Sequence, residues 1–129
     1  MRIKKVPIIA LSGGLAALAV SSLAFAGRAA TANVIIAPNS FSGSLATARY
    51  SADPNQRIGC ETWVSAGSTP MVQCWAEDAA GHSAWCYSNA PGIAIAAGSL
   101  DPAGYISVTY NSSAQCVWIG AVTNSVYLP

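Results

Sequence analysis

The 129-residue chain reads as a cleaved secretory leader followed by one small all-β domain, an antiparallel β-sandwich or meander barrel held by disulfides. Three observations carry that reading. Short β-branched and aromatic runs recur at even spacing between Asp, Pro, Gly and Asn clusters, the pattern of a sandwich or barrel. No segment after residue 33 shows a helical apolar stripe with caps. Four cysteines, an even number, all lie downstream of the leader.

Met1-Arg2-Ile3-Lys4-Lys5 is a basic start, and residues 6–23 follow without a charge. Ala24-Phe25-Ala26 then supplies a small-x-small site, with cleavage expected before Gly27. A second such site, Ala30-Thr31-Ala32, would release a chain beginning at Asn33. Residues 6–26 are long enough to span a bilayer as a helix. Pro7 and Gly13-Gly14 interrupt that helix and no basic cluster follows it, so cleavage is the expectation and no membrane span remains. The organisation is a signal peptide over 1–26, then a single domain with an N-terminal strand and Gly/Ser-rich segment over 27–56 and an antiparallel core over 57–129. The expected location is extracellular or periplasmic.

The whole chain holds 6 Lys/Arg and 5 Asp/Glu. Without the leader, Arg28, Arg49 and Arg57 stand against Asp53, Glu61, Glu77, Asp78 and Asp101, a net charge of −2. So few cations exclude a nucleic-acid binder, which must neutralise phosphates. So few charges with four tryptophans and five tyrosines also exclude a disordered chain. Weak charge gives little mutual repulsion, which makes a homo-oligomer a fair expectation.

Cys60, Cys74, Cys86 and Cys116 are separated by 13, 11 and 29 residues, with no C-x-x-C. That spacing disfavours zinc and thioredoxin-like redox chemistry and favours two disulfides. Three connectivities are open on spacing alone.

In chain order, Asn33-Val34-Ile35-Ile36-Ala37 is a β-branched run stopped by Pro38-Asn39-Ser40. The stretch from Phe41 to Ala48 has no clear assignment. Ser51-Ala52-Asp53-Pro54-Asn55 is a turn cluster. Strands are expected near 57–64, 70–77, 82–88, 93–99, 104–110 and 115–122. Asp78-Ala79-Ala80-Gly81 has the Asp and Gly positions of a type I turn, and Asp101-Pro102-Ala103-Gly104 repeats them with Pro fixing φ at the second position. Asn111-Ser112-Ser113 closes the last pair and also matches an N-glycosylation sequon. Connections this short make neighbouring strands antiparallel, so a meander is expected.

The Asp78–Gly81 turn sets a register. Residues whose numbers sum to 160 face each other, which opposes Trp75 to Trp85 and Cys74 to Cys86. Opposed pairs alternate between hydrogen-bonded and closer non-hydrogen-bonded geometry, and a type I turn with left-handed Gly81 gives the close position to the tryptophans. A Cys74–Cys86 bond is thereby disfavoured, and Cys60–Cys74 with Cys86–Cys116 is the preferred pairing. Alternation then puts Glu61, Trp63, Gln73, Trp75, Glu77, Ser83, Trp85 and Tyr87 on the face opposite the cysteines. Trp118 is placed on the same face of its strand as Cys116.

Two roles compete for that aromatic face. Tryptophans of small domains are usually buried, so a core between two sheets is the more ordinary arrangement. Aromatic rings mixed with carboxylates, amides and hydroxyls also suit a ligand platform, and Trp63, Trp75, Trp85, Tyr87, Gln73 and Glu61 are the candidate ligand-binding residues. Polysaccharide or another secreted protein is the expected partner, and the domain is read as non-enzymatic with a binding or surface-structural role. A second reading is a self-assembling extracellular or envelope subunit in which residues 33–37 add to a neighbour's sheet edge. The third is a small secreted hydrolase. His82 is the one histidine, read as a solvated turn residue, and Ser83 beside it points to the other face, so no catalytic residue is assigned. Glu61 and Glu77, which share the aromatic face in this register, could supply a carboxylate pair for glycoside hydrolysis. No metal or cofactor is expected, since ligand clusters and phosphate-binding glycine loops are missing from the pattern.

Overall fold

The computed structural model describes residues 30–127. The expected leader over 1–26 and its Ala24-Phe25-Ala26 site lie outside the described residues. Seven strands form two antiparallel sheets. Strands β1 (Ile35–Ala37), β2 (Ser40–Ser44), β6 (Tyr105–Tyr110) and β7 (Cys116–Val122) make a four-stranded sheet in the order β1-β2-β6-β7. Strands β3 (Arg57–Trp63), β4 (Met71–Glu77) and β5 (Ser83–Ser88) make a three-stranded one. Helix α1 (Leu45–Arg49) leads from the first sheet to the second, and α2 (Pro91–Gly98) leads back.

The expected single meander is therefore corrected. Only β3-β4-β5 runs as one, while β2 pairs with β6 across the whole intervening sheet, Phe41 opposite Val108 and Gly43 opposite Ile106. Strand β1 pairs with β2 of its own chain, Ile35 opposite Ser42. The unassigned stretch from Phe41 to Ala48 divides at Ser44. Its hydroxyl accepts the Thr47 N–H at 3.2 Å, which caps α1 and ends β2. Phe41 is almost wholly buried and meets Tyr110 with ring centroids 6.0 Å apart.

The strand expected over 93–99 is a helix. Ile93-Ala94-Ile95 alternates in size like a strand, but Pro91 presets φ at the first helical turn, and Ala94, Ala96 and Ala97 have high helix propensity. Ala90 at the N-cap contributes no side-chain bond, which removes the usual start signal. Ala97 is buried and Ile93 packs on the core, while Ile95 is exposed.

The core lies between the two sheets. Val72, Cys74, Ala76, Ala84 and Cys86 from one sheet meet Phe41, Ile106, Val108 and Ile119 from the other, with Ala48 and Ala97 of the helices. Both expected disulfides form, Cys60–Cys74 within the smaller sheet and Cys86–Cys116 between the sheets. Beside the second, Tyr87 N–H donates to the Ala114 carbonyl at 3.0 Å, so the sheets are joined twice at one corner. Two disulfides fit a protein kept outside a reducing cytoplasm. No helix among the described residues is long and apolar enough to cross a membrane.

Trp118 does not share a face with Cys116. Tyr110 opposes Cys116 and Thr109 opposes Trp118, so Val117 is an extra residue in β7. This bulge turns Trp118 outward, where it is about half exposed and covers Gly120.

Candidate aromatic binding face

The Asp78–Gly81 turn builds the face. Gly81 has φ +85° and its N–H donates to the Asp78 carbonyl at 3.0 Å. The Asp78 N–H donates to the His82 carbonyl at 2.9 Å, which makes Asp78/His82 a hydrogen-bonded pair. Alternation from there makes Cys74/Cys86 hydrogen-bonded and Trp75/Trp85 the close pair, in the predicted register. Asp78 Oδ1 accepts from the N–H groups of Ala80 and His82, and Oδ2 lies 2.9 Å from His82 Nδ1. The hydrogen bond from the His82 side chain, before any other cause, holds the Asp78 carboxyl below its ordinary pKa, against an opposing effect of burial.

The cysteine face is covered along β4, along β5 and at Ile58 of β3, and the aromatic face is not. Trp63 is 47% exposed, Trp85 52% and Tyr87 40%, with Gln73 and Trp75 half-buried among them. The more ordinary arrangement, tryptophans as core between the sheets, is therefore corrected: small residues of the opposite face fill the core, and the rings stay in solvent. Glu61 is exposed beside them. All six candidate residues stand on one sheet surface. Trp85 and Tyr87, two apart on β5, stack with centroids 6.2 Å apart.

Arg57 and Met71 share this face, and sequence reasoning left both out. Their odd numbers on β3 and β4 were the available signal. The Arg57 guanidinium lies 5.9 Å from the centre of the Trp75 ring and donates from Nε to Glu77 Oε2 at 2.6 Å, with Nη2 on the same oxygen. Arg57, Gln73, Trp75, Glu77, Ser83 and Trp85 border a shallow open concavity of about 310 Å³. That is the lower end of the volume that encloses a small ligand, so the surface is a platform with a dent. Gly59, opposite Trp75, has nothing within 4 Å of where a Cβ would stand.

The carboxylate pair is drawn apart. Glu61 opposes Gln73, four residues along β4 from Glu77, which is about 13 Å at 3.3 Å per residue. Glycosidase carboxyls stand closer, up to about 9.5 Å. Glu77 is also engaged by Arg57. His82 is solvated at its turn and engaged by Asp78. Among the described residues no group of three His, Cys, Asp or Glu side chains gathers as metal ligands would.

No protein-family model, no curated protein and no solved structure matches this chain.

Proposed function

We propose that this chain is an exported binding domain that takes a carbohydrate on the outer face of β3-β4-β5. The observation that supports it most is the exposure of Trp63, Trp85 and Tyr87 on one surface that also offers Gln73, Glu61 and the Arg57–Glu77 pair. These rings are not needed inside, because the core is complete on the opposite face. Ring faces left in water lose little by receiving the apolar C–H faces of a sugar, and the amide, carboxylate and guanidinium groups around them can bond its hydroxyls. The open, shallow shape suits an extended chain lying along the surface better than a small molecule held in a pocket.

The test is co-sedimentation of the oxidised domain with insoluble polysaccharides, run beside Trp85→Ala and Trp63→Ala. Trp85→Ala should weaken retention roughly thirtyfold, the equivalent of about 2 kcal/mol for a central aromatic anchor. Its unfolding midpoint should fall only by the equivalent of about 1 kcal/mol, which the contacts with Trp75 and Tyr87 contribute, and the domain should stay folded. A domain retained by no polysaccharide, or retained equally without Trp85, would remove the reading.

A further inference from the structure

We infer that the free edge of β3 pairs with the same edge of a second copy of this chain, about a two-fold axis through Gly59. Strand β3 is the outer strand of its sheet, seven residues long, and its register to β4 is unbroken from Arg57 to Trp63. Cys74 hydrogen-bonds toward β5, so its pair with Cys60 is the non-hydrogen-bonded kind, and their Cα atoms are 4.0 Å apart. The backbone N–H and C=O groups of Cys60, and by alternation those of Ile58 and Thr62, therefore point away from β4. Among the described residues no other strand and no side chain takes them up. An unpaired edge without Pro, Lys or a bulge is a template for another strand, and this one is most open from Glu61 to Trp63, with Gly59 and Cys60 partly covered and Ile58 buried.

Charge selects the occupant and the register. Antiparallel pairing of two β3 strands must oppose outward-pointing residues to outward-pointing residues, which allows registers whose residue numbers sum to an even value. The sum of 118 sets Arg57 opposite the partner subunit's Glu61, and by symmetry Glu61 opposite the partner subunit's Arg57. Both cross-strand pairs are then of opposite charge, the favourable kind. Glu61 is exposed and takes part in neither ion pair of the described residues, while Arg57 already holds Glu77 of its own chain and would be shared with the partner subunit's Glu61. Registers of 114 and 122 would oppose Arg57 or Glu61 to its own copy, and those of 116 and 120 would form no pair of opposite charge. At 118, Gly59 falls on the axis, where its missing side chain leaves open space. The two aromatic faces then lie on the same side of one six-stranded sheet. This pairing uses β3, whereas strand addition through residues 33–37 would use β1, which is already paired within the chain.

The experiment is sedimentation equilibrium of the oxidised mature protein over a broad concentration range. Wild type should dimerise, with amide exchange at Ile58, Cys60 and Thr62 slowing as the dimer fills. Glu61→Arg should weaken the dimer roughly tenfold or more, because two attractive pairs become repulsive. Gly59→Lys, which the open space admits without disturbing the monomer, should do the same by opposing two like charges at the axis. Arg57→Glu should also weaken it, and because it sets a second carboxylate opposite Glu77 its fold is first checked by circular dichroism. A mixture of the Arg57→Glu and Glu61→Arg proteins should form a heterodimer, because every facing pair is then again of opposite charge. A monomer at all concentrations overturns the inference. So does a dimer indifferent to the β3 variants and abolished by Trp85→Ala, which would place the contact on the aromatic face.

Discussion

Cys74 stands directly opposite Cys86 in the β4–β5 ladder, yet its disulfide goes the other way, to Cys60 on β3. A residue in a central strand directs both backbone bonding groups to one neighbour and so makes its close approach to the other. Cys74 bonds its backbone toward Cys86 and its sulfur toward Cys60. Cys86 is thereby left for Cys116, and that bond crosses between the sheets.

The two disulfides should differ in what they contribute. Cys60–Cys74 closes a loop with a sequence separation of 14 inside one sheet, and Cys86–Cys116 one of 30 between sheets. Loop entropy assigns them about 3 and about 3.7 kcal/mol. Urea denaturation of the Cys60→Ala/Cys74→Ala and Cys86→Ala/Cys116→Ala proteins should show the lower midpoint for the second. The opposite order would mean that native-state strain or packing outweighs chain entropy here.

Two glycines should respond in opposite directions to a methyl group. Gly59 has open space and lies in a strand interior, so Gly59→Ala is expected to be neutral or to stabilise by a few tenths of a kcal/mol, up to about 0.5 kcal/mol. At Gly120 a Cβ would run into the Trp118 ring. Gly120→Ala should lift that ring off the sheet, shift tryptophan emission to the red and cost about 1 kcal/mol. Thermal melts with emission spectra check both.

Acid should loosen the β4–β5 turn. The Asp78 carboxyl is held below its ordinary value by the His82 side chain, and that of Asp53 by the Gln56 amide. A depressed pKa in the folded state adds stability above the unfolded value, near 3.9 for Asp. That contribution disappears as pH falls from about 4 through the lower folded value. Melting temperatures should therefore drop below about pH 4. Asp78→Asn keeps an oxygen for the Ala80 and His82 N–H groups, so it should fold and melt with a shallower acid slope. An unchanged slope would mean that other carboxylates set the acid response.

The two cleavage sites expected from the sequence make different demands on the fold. Ala30 N–H donates to the Val126 carbonyl at 2.7 Å, Ala32 N–H to Thr47 Oγ1 at 3.2 Å, and the Ala32 carbonyl accepts from Ser44 N–H at 2.9 Å. Cleavage before Asn33 would discard all three bonds. Mass spectrometry of the exported protein should read a start at Gly27, and a protein cut to begin at Asn33 should melt lower.

The hairpin was legible because a four-residue turn with Asp first and Gly last leaves one register, and every facing pair then follows by counting. Which residues share a face was legible for the same reason. Which face is covered was not, because that depends on where α1, α2 and the other sheet come to rest. Helix α2 hid behind the Ile93-Ala94-Ile95 alternation and an N-cap with no polar side chain. Trp118 was misplaced by one residue, Val117, since nothing local in β7 marks a bulge. The Arg57 position on the platform was readable by parity alone and needed only the count carried back two residues from Gly59.

The largest fully buried side chains are Phe41, Ile106, Val72 and Val108, and no tryptophan is among them. Rings already half wet in the native state gain only part of their hydration on unfolding, and disulfides hold the unfolded chain compact. The heat-capacity increment should therefore fall below the usual 12–15 cal/mol/K or so per residue. A small increment flattens the curve of stability against temperature. The domain then keeps nearly the same margin in the cold as in the warm, a property set by where its largest side chains are absent.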